Sequence, residues 1–311
     1  MKKISILLMT ALFLLPAMMY AQDEAGDVAK ESRWTWGGFS TVQFGQTALV
    51  NWAGGGNSNI SSTLQTNLFA NYKKGKHTVD NTFNGTLGFV KNKGEDLRKN
   101  DDILAFNSKY GYALGGDSSK WFISGLLDFK SQFMMGYNYS DDGQTKTLNS
   151  RFAAPAYLTI ALGVDYKPSD EFSLFLSPAT GKFTIVRDDN LVPIYNSEGK
   201  NVNAEFGAYM RANLQKELFK NVTLRSTLEL FNNYTDTDKG NRKNIDVDWQ
   251  TGIDMKVNEW LLATISTHLK YDHDVKFGFD NDGDGVDDSS GPRTQFKESF
   301  TLGLTYKFGD K

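Results

Sequence analysis

From residue 33 onward the chain alternates apolar and polar residues with a period of two, in segments of roughly 10–15 residues. The clearest is Asn244–Val257. There Ile245, Val247, Trp249, Thr251, Ile253, Met255 and Val257 alternate with Asp246, Asp248, Gln250, Gly252, Asp254 and Lys256. A strand sends successive side chains to opposite faces, so this run has one apolar face and one charged face. Wound as a helix, the same residues would scatter both sets around the cylinder. Ile60–Tyr72 and Val79–Val90 repeat the pattern, with Leu64, Leu68, Tyr72, Phe83, Leu87 and Phe89 against Gln65, Asn67, Asn71, Asp80, Thr82 and Asn84. The chain is all-β.

About twelve such segments follow one another, at 36–49, 59–73, 78–91, 102–114, 120–137, 156–167, 171–177, 203–217, 221–235, 243–257, 260–272 and 294–308. Their connections alternate in length. Lys73–His77, Gly115–Ser119, Pro168–Asp170, Leu218–Lys220 and Asn258–Glu259 are short. Val50–Ser58, Asn92–Asp101, Asn138–Pro155, Ser177–Val202, Asp236–Arg242 and His273–Arg293 are longer. Short turns on one side and long extracellular loops on the other, through an even number of antiparallel strands, are the pattern of a transmembrane β-barrel. A secreted sandwich is the rival, but its strands run about 5–6 residues and both its inner faces are buried in one core. The strand count predicted lies between roughly ten and fourteen, because Ser177–Asn203 carries apolar runs (Phe183–Val186, Leu191–Tyr195). They suit a lumen constriction, an added hairpin or a docked partner equally well.

The two faces of the segments agree with a lipid outside and water inside. Trp121, Ile123, Leu127, Phe129, Phe133 and Met135 share one apolar face, and Phe296, Phe300, Leu302, Leu304, Tyr306 and Phe308 another. Trp52, Tyr72, Tyr110, Tyr112, Tyr137, Trp260 and Tyr271 fall near segment ends, where aromatic girdles sit. The opposite faces carry Asp128, Lys130, Arg211, Arg225, Glu229, Asp254, Lys256 and Lys270, predicted to line the lumen. On the lipid face a midplane Arg or Lys would cost about 2–4 kcal/mol.

The N-terminus reads as an export signal over residues 1–21. Lys2 and Lys3 precede an apolar run from Ile4 to Leu15, and a small residue, Ala21, offers a cleavage point. The run is too short for a spanning helix and Pro16 interrupts it. A polar segment, 22–33, then leads to the barrel, 34–308. Removing the signal takes away two lysines and no acid, so the formal charge moves from −3 to −5. That balance argues against a nucleic-acid binder, which needs a basic face. The absence of cysteine excludes disulfides, thiolate metal sites, a cysteine nucleophile and a lipidated N-terminal Cys. Together these features predict the outer membrane of a Gram-negative cell, in contact with its lipid.

Several stretches resemble a family of uncharacterised outer-membrane barrels from Bacteroidota-type bacteria. They are Asn51-Trp52-Ala53-Gly54-Gly55-Gly56-Asn57-Ser58, Ser177-Pro178-Ala179-Thr180-Gly181-Lys182, Leu230-Phe231-Asn232-Asn233-Tyr234, Asn244-Ile245-Asp246-Val247-Asp248-Trp249 and Tyr271-Asp272. The resemblance covers about residues 33–308. That family carries only a domain-of-unknown-function label, so the resemblance implies a barrel and its location and supplies no activity. Asn51, Trp52, Gly54, Gly55 and Gly56 form a loop whose glycines permit tight turns. It lacks the Lys and the following helix of a phosphate loop. It reads as a hairpin closure, with sugar stacking or partner docking as the sharper alternative.

The strongest chemical motif is Asp280-Asn281-Asp282-Gly283-Asp284-Gly285-Val286-Asp287-Asp288. Carboxylates at positions one, three and five, Gly at six and a carboxylate at nine match the start of a calcium loop. Asp280, Asp282, Asp284 and Asp288 are the expected ligands, with the carbonyl of Val286, and Ca2+ is the expected ion. Position twelve is Gly291 rather than the bidentate Glu of a complete EF-hand loop.

Enzyme signals are thin. His268 shares an inner face with Ser266, but the sequence presents no clear orienting acid or oxyanion hole. The sequence therefore predicts a non-enzymatic barrel, either a small pore for polar solutes or a structural barrel of an outer-membrane assembly. The alternatives are a non-conducting subunit that docks protein partners and, third, a membrane-embedded hydrolase.

Overall fold

The computed structural model describes residues 33–50, 58–116, 118–140, 145–196, 199–282 and 288–309. The export signal, almost all of the 22–33 segment and the loop Asn51, Trp52, Gly54, Gly55 and Gly56 lie outside the described residues. So do Asp284 and Val286. One compact unit begins at Trp34.

Sixteen strands follow along that unit. They are β1 (Trp34–Thr47), β2 (Asn59–Lys74), β3 (His77–Asn92), β4 (Arg98–Ala113), β5 (Trp121–Ser131), β6 (Gly136–Tyr139), β7 (Lys146–Ser150) and β8 (Ala156–Ser169), then β9 (Phe172–Ile185), β10 (Val202–Phe219), β11 (Val222–Asn233), β12 (Asp246–Lys256), β13 (Leu261–Tyr271), β14 (Lys276–Phe279), β15 (Ser289–Pro292) and β16 (Gln295–Gly309). Twelve of them close into an antiparallel barrel in the order β1-β16-β13-β12-β11-β10-β9-β8-β5-β4-β3-β2. The remaining four form two small hairpins, β6–β7 and β14–β15, inside long loops. The only α-helix among the described residues is a single turn, α1 (Val192–Tyr195).

Closure is what makes the fold viable in lipid. Each of the twelve wall strands has a neighbour on both sides, so the ladder groups of the paired stretches are satisfied within the wall. The pairing of β12 with β11 and β13 sets Leu224, Ile253 and Ile265 side by side, and the next position sets Thr223, Asp254 and Thr264 side by side. The first row faces out and the second faces in. Outward hydroxyls come in mutually satisfied pairs: Ser40 with Thr66 at 3.1 Å and Ser226 with Thr251 at 3.1 Å, the latter also receiving the Trp249 indole N–H at 2.9 Å. Aromatic contacts gather at the short-turn rim, where Trp34 packs on Tyr72, His77 on Tyr112 and Trp121 on Tyr166. Tyr137 instead belongs to hairpin strand β6.

Two segment boundaries differ most from those the alternation predicts. β9 runs to Ile185 rather than ending at Ser177, so Phe183–Ile185 is barrel wall. Alternation is lost there because the register shifts at Leu162/Val164 and at Gly207/Tyr209. Both shifts reflect one extra residue in β9, and glycine is required on the strands flanking it: a Cβ on Gly163 would collide with the Leu176 carbonyl of β9, and one on Gly207 with the Asn232 carbonyl of β11. β5 ends at Ser131, which leaves Phe133 and Met135 in the loop above the wall. What remains of the β9–β10 loop folds onto the loop carrying β6 and β7. Val186, Leu191, Val192 and Ala154 are buried together there with Leu148 and Tyr195 against them. Arg151 pairs with Asp188, and the Tyr195 hydroxyl donates to the Asn149 carbonyl at 2.7 Å. Val186, Leu191 and Val192 of that loop are thus covered within the chain, while Ile194 stays exposed.

Candidate functional site: a divided lumen

The inward residues of β5, β8, β9, β10 and β11 fill their side of the barrel. Leu126, Ala161, Phe175, Tyr209 and Phe231 form one apolar cluster, with Phe175 and Ala161 at 1% exposure. Beside it lies an ionic network that crosses the lumen. Lys130 of β5 donates to Glu229 of β11 at 2.8 Å, although β8, β9 and β10 separate those strands along the wall. Arg211 of β10 pairs with Asp128 at 3.1 Å and Glu229 at 3.6 Å, and Asn107 donates to Asp128 at 3.1 Å. Each carboxylate has at least two donors, which is what allows charges to persist away from bulk water.

Further ion pairs bracket this network. Toward the short turns, Lys109 meets Asp165 at 2.7 Å, Lys167 reaches Asp80 on β3, and Arg225 pairs with Asp254 at 2.7 Å while lying over the Phe39 ring. Toward the long loops, Lys182 of β9 meets Asp246 of β12 at 3.0 Å, and Lys297 of β16 meets Asp101 of β4 at 2.9 Å. Lys256 is on the inward row at the short-turn end, opposite Leu262. Lys270 lies 3.8 Å from Asp248.

The opposite wall is different in chemistry and packing. Gln43, Thr63, Gln65, Asn67, Thr82, Asn84, Ser299 and Thr301 point inward on β1, β2, β3 and β16. All remain partly accessible to water, and inward Gln250 on β12 is exposed. These are neutral amides and hydroxyls. The lumen is divided lengthwise into a packed side crossed by the ion network and a wetter side lined mostly by amides and hydroxyls.

Ser266 and His268 share the wet side, yet they bond elsewhere. Ser266 shares a 2.7 Å hydrogen bond with Ser299, and His268 contacts Asp248 at 2.8 Å. Asp248 is a partner that sequence spacing did not single out, because it lies on the neighbouring strand.

At the long-loop end, the β14–β15 hairpin carries the predicted calcium motif. Carboxylate oxygens of Asp280, Asp282 and Asp288 lie within 4.8 Å of one another, all exposed. The Asn281 N–H donates to Asp288 at 2.8 Å and the Asp288 N–H to the Phe279 carbonyl at 2.8 Å, which sets the spacing of the three. Hard oxygen donors so arranged suit a hard cation such as calcium. Nearby, burial pushes the Asp274 carboxyl up from its ordinary range, reinforced by Asp272, Asp236 and Asp246. Arg151 holds Asp188 down through its hydrogen bond.

A family model described as "Protein of unknown function (DUF3078)" matches residues 44–137. No curated protein matches the chain. Among solved structures, the translocator domain of autotransporter NalP from Neisseria meningitidis is 10% identical over 99% of this chain and 98% of that one, with a TM-score of 0.35. OmpT, an outer membrane protein of Vibrio cholerae, is 10% identical over 91% of this chain and 100% of that one, at 0.32. The Pseudomonas putida toluene transporter TodX is 10% identical over 88% of each chain, at 0.31. The barrel assignment for this chain rests on its own strand pairing.

Proposed function

We propose that this chain is exported to the outer membrane of a Gram-negative cell, of the Bacteroidota-type its motifs resemble. There it acts as a narrow, non-enzymatic passage for small polar solutes. One observation carries the reading: inward Gln43, Gln65, Asn67, Asn84, Gln250 and Thr301 remain water-accessible along one wall, while Leu126, Ala161, Phe175, Tyr209 and Phe231 pack together on the opposite wall. Twelve strands fall between the roughly eight of barrels filled by side chains and the 16–18 of open porins. Half a lumen lined by amides and hydroxyls exchanges hydrogen bonds with a passing solute without trapping an ion. In the same reading Asp280, Asp282 and Asp288, with Asp284 and the Val286 carbonyl, hold one calcium ion that orders the outer hairpin.

The cross-lumen pairs Lys130–Glu229 and Arg211–Asp128 favour a second reading, a non-conducting barrel that docks protein partners in an outer-membrane complex. Purified protein in a planar bilayer separates the two. Small, discrete conductance steps with little ion selectivity support the passage. Silence at protein densities where insertion is verified supports the docking barrel.

A further inference from the structure

We propose that the long-loop half of the seam between β1 and β16 is a side portal, through which a single-chain amphiphile moves between the bilayer and the lumen. The proposal adds a lateral route to the passage above and rests on that lumen being wet. Its basis is where the barrel's closing register stops. β1 pairs with β16 from Gly37↔Gly309 to Phe44↔Leu302 and no further. Both strands continue past that point on their other sides: β1 pairs with β2 to Thr47↔Asn59, and β16 pairs with β13 to Lys270↔Gln295. Gly45–Thr47 and Gln295–Thr301 therefore face each other's direction as strand edges without joining.

The height of this gap matters. Strands rise about 3.4 Å per residue and tilt about 40°, so each residue climbs roughly 2.6 Å through the membrane. Counting from Tyr306 in the short-turn girdle, Phe300 lies about 15 Å up and Phe296 about 25 Å up, spanning the upper part of an apolar band about 25 Å tall. Open strand edges are not tolerated in hydrocarbon unless they border water or protein. On the inner side, Ser299 and Thr301 remain partly accessible to water.

The two rims have opposite chemistry. Outside, Phe44, Phe296 and Phe300 are 59%, 61% and 70% exposed. Inside, the seam is flanked by Gly45, Ser299 and Thr301, with Lys297 paired to Asp101 beyond them. Phenyl rings toward lipid and small hydroxyls toward water match a molecule with one acyl chain and a compact hydrogen-bonding head. A solute without an apolar part has no reason to enter from the side.

The chain has no cysteine, so engineered pairs react alone. Continuing the register places Thr47 opposite Ser299, and Val42 opposite Leu304 is a paired control. In full-length protein reconstituted in vesicles, Val42→Cys/Leu304→Cys should oxidise readily to a disulfide. Thr47→Cys/Ser299→Cys should not, yet a flexible bismaleimide should bridge it. The probe is a fatty acid carrying a nitroxide on its chain, read as its exchange between bilayer and lumen. Bridging the upper pair should slow that exchange about tenfold, as sealing a wet edge requires, and leave uptake of a small neutral sugar unchanged. Oxidation of the upper pair as fast as the lower, or exchange unaffected by the bridge, overturns the portal. A bilayer silent to ions would sink the passage reading while leaving the cross-linking result to stand by itself.

Discussion

Moving one arginine along β12 tests whether the wall faces lipid on the side the register assigns. Thr251 points outward, between Ser226 and Thr267 in register, and lies five residues above Lys256. At roughly 2.6 Å of climb per residue, that is about 13 Å above the short-turn rim, the middle of an apolar band about 25 Å tall. Thr251→Arg should therefore cost about 2–4 kcal/mol, and it also removes the 3.1 Å hydrogen bond with Ser226. Ile253→Arg, two residues nearer the rim, should cost about 1–2 kcal/mol, and Val247→Arg, near the long-loop rim, about 0–1 kcal/mol. Gln250→Arg differs from Thr251→Arg by a single position but enters water, so its cost should stay within about 0.5 kcal/mol. Guanidinium unfolding in phospholipid vesicles gives the four values, with heat-modifiable gel migration as the check on assembly. A flat depth profile, or equal damage from Gln250→Arg and Thr251→Arg, would refute the assignment of inside and outside.

Three further outcomes follow from the same geometry. Arg211→Met leaves Lys130 as the one cation between Asp128 and Glu229, and should cost about 3–5 kcal/mol in the same unfolding assay. Limited proteolysis within 276–292 should slow in millimolar calcium, with magnesium much less effective and Asp282→Ala insensitive to both, because flexible carboxylate cages suit calcium at about 10⁻⁴–10⁻³ M. Identical cleavage with calcium and with chelator would remove the ion from the account. The Asp274 carboxyl is raised in the folded protein, so its contribution to local stability is complete below its unfolded pKa and is lost as pH rises through the folded value. Amide protection in the 272–275 turn, measured against the intrinsic exchange rate at each pH, should fall from acid toward neutral pH, and Asp274→Asn should flatten that dependence.

The barrel was legible because lipid on one side and water on the other impose the same two-residue period on every wall strand. Asn244–Val257 displays it without interruption, and β12 keeps it in both its pairings. The period fails where the backbone bulges. Opposite Gly163 and Gly207, β9 carries an extra residue between Leu176 and Thr180 that resets the phase, so its upper half read as loop. Hairpins β6–β7 and β14–β15 were invisible for another reason: each has strands of only four or five residues, too few for a period to register. The lumen's division was not legible at all. Lys130 and Glu229 are 99 residues apart, and which charges meet across a barrel depends on strand order, tilt and closure together. Asp248 escaped notice as the partner of His268 for the same reason. The acidic motif at Asp280–Asp288 stood out because its spacing is local, and a hairpin gathers three of its carboxylates.

The divided lumen is tested most directly by thiol labelling in a chain with no native cysteine. Single cysteines at Gln65, Gln250 and Thr301 sample the wall of amides and hydroxyls, and single cysteines at Ala161 and Thr180 sample the packed wall, where both native residues are at most 1% exposed. A small charged methanethiosulfonate reagent, applied to folded protein in vesicles, reports water at each site. The account predicts rapid modification at the first three positions and protection at the last two until the barrel is unfolded. Equal rates on both walls, or protection at all five, would contradict a lumen that is wet on one side and closed on the other.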